Sequence, residues 1–485
     1  MLQVSRFPTR DARDLWGMEA ALLAAIGLGT VSLAFGVSLT YVVGGLAGLF
    51  LLGLTIWRPV VALALLVVAV PMTAGLGRNT VIPLLRTNEA MTAVIVVGMV
   101  IHTLPQGRRR GYSGLDLAVL TFVSGAVLVP WAVLYLGRVD VDLSTWQTVL
   151  GPVQYLLIYF LFSRVEMSPR ARRWLINLTL GCSVVVALIG IAQLADLPGV
   201  RDFIATYYPG NNPNICQFGV CRPTSLLEHW SSFGAYAVLN FAIAFAIAAT
   251  PGAGYSSRWL TLVMAANAVA VLASQTQAAV AGLLLVIAVV MLHRRRLPRQ
   301  LLPTVAALAI GVAAFWPQVS ARVEQQFGAP GQGSGTPQSL QTRIGYWNQL
   351  FVPVFLEHPW FGSGTVISTE VPPRLSLFVD NEYLGMGFRA GLFGEVLLLL
   401  LLGAVVVTGW RCRGSPAPMA AAIGASSAAF VVALAVMGTT AEYLTFAGVA
   451  QAFWMVVGLM GWFLIHPVGG PDVGIGAEIL ATRSA

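Results

Sequence analysis

Two arginines have the residue type and the sequence context for binding a phosphate group. Arg222 directly precedes an apolar segment, and Arg343 begins a stretch in which aromatic and apolar residues recur at helical spacing. A guanidinium group donates two parallel hydrogen bonds to one phosphate and keeps its charge at physiological pH. The pair therefore indicates a site for a lipid phosphate or diphosphate. The alternative is that each arginine only extends its charged end to lipid headgroups.

The elements that must position these arginines are membrane-spanning helices. The chain has 485 residues, of which 57% are hydrophobic and 10% are charged, and its mean hydropathy is +0.78. Soluble domains carry about a quarter charged residues. Because the chain has too few charges for a water-soluble fold, its composition predicts an all-α polytopic membrane protein.

Fourteen segments are long and apolar enough to cross a bilayer core, which takes about 20 residues per helix. They are 18–36, 39–57, 59–76, 90–105, 115–137, 147–163, 174–194, 231–250, 258–274, 277–293, 300–316, 391–410, 418–438 and 446–465. Two connections are very short, those between 39–57 and 59–76 and between 258–274 and 277–293. Twelve spans are therefore the alternative count. We expect residues 1–485 to form a single membrane domain.

The distribution of arginines predicts the orientation, since basic residues concentrate in cytoplasmic loops. All 28 basic residues are arginines. With fourteen spans and a cytoplasmic N-terminus, every basic cluster lies inside, and residues 466–485 form a disordered cytoplasmic tail. The net charge of +8 is thus a topology signal and does not indicate nucleic-acid binding. Nine arginines fall outside: Arg78, Arg86, Arg138, Arg201, Arg222, Arg322, Arg343, Arg374 and Arg389.

Two outer segments are too long to be simple turns. The first, 195–230, contains Cys216 and Cys221, for which a disulfide and two free thiols are both compatible with an extracytoplasmic location. The second, 317–390, opens with a flexible stretch and continues as an amphipathic helix packed on the bundle, with Tyr346, Trp347, Leu350, Phe351 and Phe355 at helical spacing. Long ordered loops are usually functional, so we expect 317–390 to be a partly helical catalytic loop.

Three short motifs follow one another within this second outer segment. Residues 343–347 read Arg-Ile-Gly-Tyr-Trp, residues 357–364 read Glu-His-Pro-Trp-Phe-Gly-Ser-Gly, and residues 380–384 read Asp-Asn-Glu-Tyr-Leu, before a glycine-flanked new helix near Gly391. In this order they resemble the O-antigen ligase and O-antigen polymerase superfamily. The segment that begins at Arg222 is similar to the first arginine motif of that family.

The resemblance implies a GT-C-like glycosyltransferase that needs no metal ion or other cofactor. Its donor is a polyprenyl-diphosphate-linked glycan, its acceptor is a glycan hydroxyl, and its active site faces outward from the bacterial cytoplasmic membrane among membrane lipids. Arg222 and Arg343 would stabilise the charge on the leaving diphosphate. Asp380 would accept the proton of the acceptor as general base. The ligases carry a histidine where this chain has Asp380, and the Asp-Asn-x-Tyr-Leu variant looks more like the polymerising members.

Further residues are candidates for substrate contacts, each with a structural alternative. Glu228 and His229 could instead support the fold, His358 could order its turn, and Asp380 and Glu382 could cap the helix that follows or form salt bridges. Asp140 and Asp142 match a metal-binding D-x-D only by chance in a polar turn. Arg201, Arg322 and Arg374 have no motif context, so we expect them to matter less. The full set of predicted substrate contacts is Glu228, His229, Tyr346, Trp347, His358, Asn381, Glu382 and Tyr383.

Three functions are compatible with these observations. The leading one is a polymerase of lipid-linked oligosaccharides, and the first alternative is a ligase that transfers a finished glycan to a lipid or protein acceptor. The second alternative is a transporter or flippase, which would hold charges within its spans. Most acidic residues here lie at predicted helix ends, as Asp116 and Glu442 do, and this favours the enzyme. The absence of lysine excludes a P-loop and a pyridoxal phosphate enzyme.

Overall fold

The computed structural model describes residues 39–78, 82, 85–104, 111–139, 141, 143–208, 216–217, 220–328, 337–364 and 379–466. Within these ranges the chain is almost entirely helical. The helices of the first part are α1 Leu39–Trp57, α2 Pro59–Thr73, α3 Thr87–Thr103, α4 Gly114–Leu136, α5 Leu143–Arg164, α6 Pro169–Leu194 and α7 Val200–Tyr207. Those of the second part are α8 Trp230–Ala248, α9 Ser257–Ala273, α10 Gln277–Arg294, α11 Leu301–Ala314, α12 Trp316–Phe327, α13 Gln338–Tyr346, α14 Val352–Glu357, α15 Glu382–Arg411, α16 Pro418–Met437 and α17 Val449–Ile465.

Two short segments complete the helical structure. A π-helical turn, Trp347–Phe351, joins α13 to α14, and a 3-10 turn, Cys412–Gly414, follows α15. Two strands, Cys216–Gln217 and Val220–Cys221, form an antiparallel hairpin in the first outer segment. The hairpin pairs the backbones of Cys216 and Cys221. Their side chains lie outside the described part of the chain, so the two alternatives, a disulfide and two free thiols, are not tested.

Helices occupy thirteen of the fourteen predicted spans, and the first, 18–36, lies outside the described residues. Six helices are long and apolar enough to cross a membrane by length and composition: Gly114–Leu136, Pro169–Leu194, Trp230–Ala248, Gln277–Arg294, Glu382–Gly414 and Pro418–Met437. A seventh is obtained if α11 and α12, which meet at an angle of 78°, count as one broken span. Five further apolar helices are shorter. The polytopic helical fold is confirmed, and the count of fourteen spans stays a prediction.

The centre of the bundle is formed by α8, α16 and α17, whose residues are nearly all buried. Small residues let such helices approach closely. A Cβ atom at Gly409 on α15 would lie 2.4 Å from the carbonyl oxygen of Gly424 on α16. The largest fully buried side chains include Trp454, Phe430 and Phe245. Polar groups that reach the bundle from its ends are therefore placed against a fixed apolar centre.

The predicted amphipathic helix of the second outer segment is confirmed as α13, the π-helical turn and α14. Phe351 is fully buried with Val379 and Phe388, and the other aromatic and apolar residues of the segment pack around them. This cluster attaches the segment that carries Arg343 to the beginning of α15. The stretch that was expected to be flexible, 328–338, lies mostly outside the described residues.

The helix α15 consists of two helices that meet at Gly391, so a new helix starts at the expected place, and a further helix that begins at Glu382 precedes it. Gly391 has φ +64 and ψ −165, so it interrupts α15 in a conformation that favours glycine. The turn formed by residues 358–364 packs into the break. The N–H of Leu392 donates to the carbonyl of Pro359 at 2.8 Å, and that of Phe393 donates to the carbonyl of Trp360 at 3.2 Å. The turn thus replaces helical hydrogen bonds that the break removes.

Candidate functional site

Arg222 lies in the segment that precedes α8 and is bonded only to neutral groups in the described part of the chain. Its guanidinium stacks on the Trp230 ring at 4.4 Å. Nη2 donates to the Gln275 carbonyl at 3.2 Å and to the Thr276 hydroxyl at 3.0 Å. The Nε atom is buried without a hydrogen-bond partner among the described residues. The contacts orient the guanidinium without neutralising its charge.

Two more arginines act on Arg222, namely Arg322 on α12 and Arg343 on α13. Burial, followed by the charges of Arg322 and Arg343, lowers the pKa of Arg222 well below its usual value. A guanidinium stays protonated in proteins, so the charges of Arg322 and Arg343 add to that of Arg222 and favour a bound anion. We call Arg222, Arg322 and Arg343 the arginine cluster.

Arg322 is the member that the sequence did not reveal. It was expected to matter less because no motif surrounds it. In the structure, Nη1 of Arg322 donates to Oε1 of Gln325, and its Nε atom is buried without a partner among the described residues. Arg322 lies on α12, which follows the bend of 78° after α11, and no local pattern in the sequence indicates this bend.

Asp380 is the carboxylate that the arginine cluster contacts. Its Oδ2 atom lies 3.3 Å from Nε of Arg343 and accepts a hydrogen bond from the hydroxyl of Tyr346 at 3.1 Å. Burial and the charge of Asp380 raise the pKa of Tyr346, so this hydroxyl remains a donor. Asp380 has φ +54, a left-handed conformation that aspartate tolerates better than most residues. The first and third motifs are thus joined through one carboxylate oxygen.

The backbone before Asp380 is held from two sides. Trp347 Nε1 donates to the carbonyl of Val379 at 2.8 Å, and the N–H of Val379 donates to Glu442 Oε1 at 2.9 Å. The other oxygen of Glu442 pairs with Arg389 on α15. Burial raises the pKa of Glu442, and the charge of Arg389 opposes this effect. Glu442 therefore helps to position Asp380, a role that its place in the α16–α17 connection did not indicate.

His229 lies beside the arginine cluster as a neutral imidazole. Its Nδ1 accepts the N–H of Ser231 at 3.2 Å and caps α8, and its ring stacks on Phe446 at 5.5 Å. Burial and the charges of Arg222 and Arg343 lower the pKa of His229 to about 3. Since Nδ1 is an acceptor, the neutral ring carries its proton on Nε2 and can donate a hydrogen bond.

The other predicted contact residues have structural partners. Asn381 accepts hydrogen bonds from the N–H groups of Tyr383 and Leu384 and so caps α15. Tyr383 donates to the carbonyl of Ala435 at 2.6 Å, and Glu382 accepts the N–H of Leu444 at 2.9 Å.

Two further predicted residues lie at the edge of the region. Glu228 pairs with Arg86 at 2.8 Å. His358 has an exposed side chain, and its carbonyl accepts the N–H of Gly362 at 2.9 Å. The structure thus brings together Arg222, His229, Arg343, Tyr346, Trp347 and Asp380, whereas Glu228, His358, Asn381, Glu382 and Tyr383 hold the surrounding elements. The roles of all these residues toward a substrate stay predictions.

The charged side chains of this region are mainly arginines, and few of its side chains are of the types that bind metal ions. Within the ranges that the structure describes, no group of three or more histidine, cysteine, aspartate or glutamate side chains is arranged to hold a metal ion. Asp140 and Asp142, the D-x-D match, lie outside those ranges.

Comparison with protein families identifies the segment that carries most of this site. Residues 260–399 match the family described as O-Antigen ligase. This match supports the resemblance of the chain to the O-antigen ligase and polymerase superfamily. The resemblance predicted from the motifs is thereby confirmed, and it supports a glycan-processing role in the membrane. The matched range includes Arg322, Arg343 and Asp380, whereas Arg222 precedes it. A search of curated proteins gives no match.

Proposed function

We propose that this protein polymerises polyprenyl-diphosphate-linked oligosaccharide repeat units on the outer face of the bacterial cytoplasmic membrane. The observation that carries the proposal is the arginine cluster, in which Arg222 has only neutral hydrogen-bonding partners among the described residues. Three clustered guanidinium groups attract a multiply charged anion, and a diphosphate supplies the required charge. Activation through a lipid diphosphate also suits a compartment without nucleotide sugars.

The reaction we propose is a single displacement at the anomeric carbon of the donor. The acceptor hydroxyl forms the new glycosidic bond as the bond between the anomeric carbon and the diphosphate oxygen breaks. The hydroxyl proton passes to Asp380, and polyprenyl diphosphate leaves with the bonding electrons. Arg222 and Arg343 stabilise the charge that develops on the leaving oxygen, and Arg322 adds to the same positive field.

Arg343 connects the base with the leaving group in this mechanism. Its Nε atom donates to Asp380 at 3.3 Å, and we assign its terminal amino groups to the diphosphate. Transfer of Arg343 from Asp380 toward the incoming diphosphate would free the carboxylate oxygen that now accepts from Arg343. Donor binding would then prepare Asp380 for the proton of the acceptor.

The proposal requires no metal ion, because the guanidinium groups supply the positive charge that divalent ions supply in other transferases. The nearest alternative is a ligase that transfers the finished glycan once. Asp380 favours the polymerase, since the ligases carry a histidine at this position of the motif.

Reconstitution tests these alternatives directly. The purified protein in proteoliposomes is supplied with a polyprenyl-diphosphate oligosaccharide, and the lipid-linked products are sized after incubation with EDTA. A ladder of products supports the polymerase, and a single transfer to an added foreign acceptor supports the ligase. Redistribution across the membrane without a covalent change would contradict the enzyme and support transport. Arg222→Ala at matched protein density is the control for background transfer.

A further inference from the structure

A cavity with both polar and apolar walls lies at the same end of the bundle as the arginine cluster. Its volume is about 300 Å³, which is in the range of small-ligand pockets. The cavity is lined by the beginnings of α3, α5 and α15, by Phe122 of α4, by the segment that precedes α8, and by the α16–α17 connection with the beginning of α17. These are six separate parts of the chain, so no single motif predicted the cavity, although the predicted contact residues Glu228 and Glu382 both line it.

Each of the three arginines around the cavity pairs with a glutamate, and Glu382 adds a further carboxyl group to the wall. Arg86 pairs with Glu228 at 2.8 Å, and Arg78 pairs with Glu89 at 2.8 Å. Arg389, a third arginine of the wall, pairs with Glu442. This balance does not favour an anion, in contrast to the charge of the arginine cluster.

The cavity wall nevertheless holds N–H groups that lack partners among the described residues. They are Nε of Arg86, Nε2 of Gln154 and Nε1 of Trp454, and all three atoms are buried. Leaving a buried donor without a partner is unfavourable. A ligand that satisfies these donors must offer acceptor oxygens.

Aromatic rings form another part of the same wall, and Tyr155 is the partly exposed one among them. Tyr155 stacks on Trp454 with ring centroids 6.2 Å apart, and Trp454 also stacks on Phe122 at 6.4 Å. Carbohydrate rings combine hydroxyl oxygens with apolar C–H faces. A neutral sugar matches both the unpaired donors and the aromatic surface.

Two contacts join the cavity to the proposed reaction site. Phe446 lines the cavity and stacks on His229, which lies beside the arginine cluster. Arg389 also lines the cavity and pairs with Glu442, which binds the backbone next to Asp380. The cavity and the general base thus share one wall, formed by the α16–α17 connection.

We infer that this cavity binds a neutral sugar residue of the acceptor glycan and places its chain beside Asp380. The assignment of this sugar to the acceptor glycan rests on the proposed function, whereas sugar binding is inferred from the cavity itself. The unpaired donors of Gln154 and Trp454 give the site its preference for hydroxyl oxygens.

A binding measurement that needs no turnover tests the cavity. The probe is the free oligosaccharide repeat unit, released from its polyprenyl diphosphate by mild acid, and it is titrated into the full-length protein in nanodiscs by calorimetry. Trp454→Phe keeps the aromatic ring but removes the N–H, and Gln154→Leu removes the amide. Each should raise Kd about three- to tenfold, as expected for one lost neutral hydrogen bond. Gln154→Leu carries the test if Trp454→Phe lowers the folded yield.

Trp259→Phe is the matched control. Trp259 Nε1 is also buried without a partner among the described residues, but it lies on α9 outside the cavity, so its Kd should equal that of the wild type. Absence of binding by the wild type, or equal Kd values in all variants, would overturn the inference.

Transfer kinetics separate the inference from the proposed function. With a labelled donor and a separate acceptor, Trp454→Phe and Gln154→Leu should raise KM for the acceptor and leave KM for the donor unchanged. A rise in KM for the donor alone would overturn the acceptor assignment. Oligosaccharide binding without transfer would refute the glycosyltransferase but retain the sugar site.

Discussion

The arginine cluster and the neighbouring cavity use the same residue type in opposite ways. Around the cavity, Arg78, Arg86 and Arg389 each pair with a glutamate. In the arginine cluster, an ion pair with a carboxylate is seen in the described residues for Arg343 alone. An arginine whose charge is matched within the protein contributes to structure, whereas an excess of arginines attracts an anion from outside. Pairing therefore distinguishes the arginines better than their predicted location on the outer side does.

The largest effect should come from the cluster members that lie in motifs. Arg222→Ala and Arg343→Ala should each lower the transfer rate about 100- to 1000-fold, the typical cost of one donor to a transition-state charge. Arg343→Lys should also be damaging, because an ammonium group cannot reproduce the bidentate fork. The rate is measured in proteoliposomes at matched protein density.

Arg201→Ala is the control for this prediction. Arg201 is paired with Asp196 at 3.0 Å and bonded to the carbonyl of Gln193, so its loss should leave the rate near that of the wild type. If Arg222→Ala and Arg343→Ala are as active as Arg201→Ala, the assigned role in the leaving group is wrong.

A smaller loss should follow from Arg322→Ala, about tenfold in rate, because Arg322 adds charge without a motif contact. Inorganic pyrophosphate should raise the melting temperature of the wild type, since a ligand stabilises the state that binds it. The rise should be reduced in Arg322→Ala and absent when Arg222 and Arg343 are both replaced by alanine. An equal rise in all variants would separate anion binding from the arginine cluster.

Breaking one of the arginine–glutamate pairs around the cavity should lower the stability of the protein and leave pyrophosphate binding intact. Arg86 and Glu228 retain 17% and 26% of their side-chain exposure, so solvent screens part of their interaction. Arg86→Met should destabilise by about 1–2 kcal/mol, below the cost of breaking a fully buried pair. The double variant with Glu228→Met should recover most of this loss in a thermal double-mutant cycle. No recovery would mean that the pair is not the source of the stability.

The smallest effect concerns pH and His229. Its pKa is about 3 in the folded protein, compared with about 6.5 in an unfolded chain. Between pH 6.5 and 3, His229 is protonated in the unfolded chain but not in the folded protein. Its contribution therefore lowers the free energy of unfolding as the pH falls from 6.5 toward 3. His229→Gln should show a shallower decrease in melting temperature between pH 7.5 and 5.0. A steeper decrease would show that His229 is protonated in the folded state.

Local patterns predicted the helices well, and the site only in part. Hydropathy and length located thirteen segments that are helices, because each segment carries this signal by itself. The motifs brought Arg343 and Asp380 together correctly. They did not distinguish Asn381 and Tyr383, whose contacts are those of a helix cap and a packed helix. The position of a residue in a motif does not reveal whether its partner is a ligand or the protein.

Contacts between distant segments explain what the sequence did not reveal. Arg322 reaches the site through a bend of 78° between α11 and α12, and Glu442 reaches Val379 across more than 60 residues of chain. Neither contact leaves a periodic pattern in either partner. The cavity lined by Gln154 and Trp454 is hidden for the same reason, since both residues look like ordinary members of apolar helices.

The broken helix α15 has a consequence for how such chains diversify. A Cβ atom at Gly391 would lie 2.3 Å from the carbonyl carbon of Trp360, and one at Gly362 would lie 2.4 Å from the carbonyl oxygen of Phe388. If the helix were continuous at Gly391, the N–H groups of Leu392 and Phe393 would no longer bind the turn. If the turn were lost, the same N–H groups would have no partners. Neither half can mutate alone without cost. We expect the glycine break and the turn to be inherited as one unit, exchanged between lineages together or not at all.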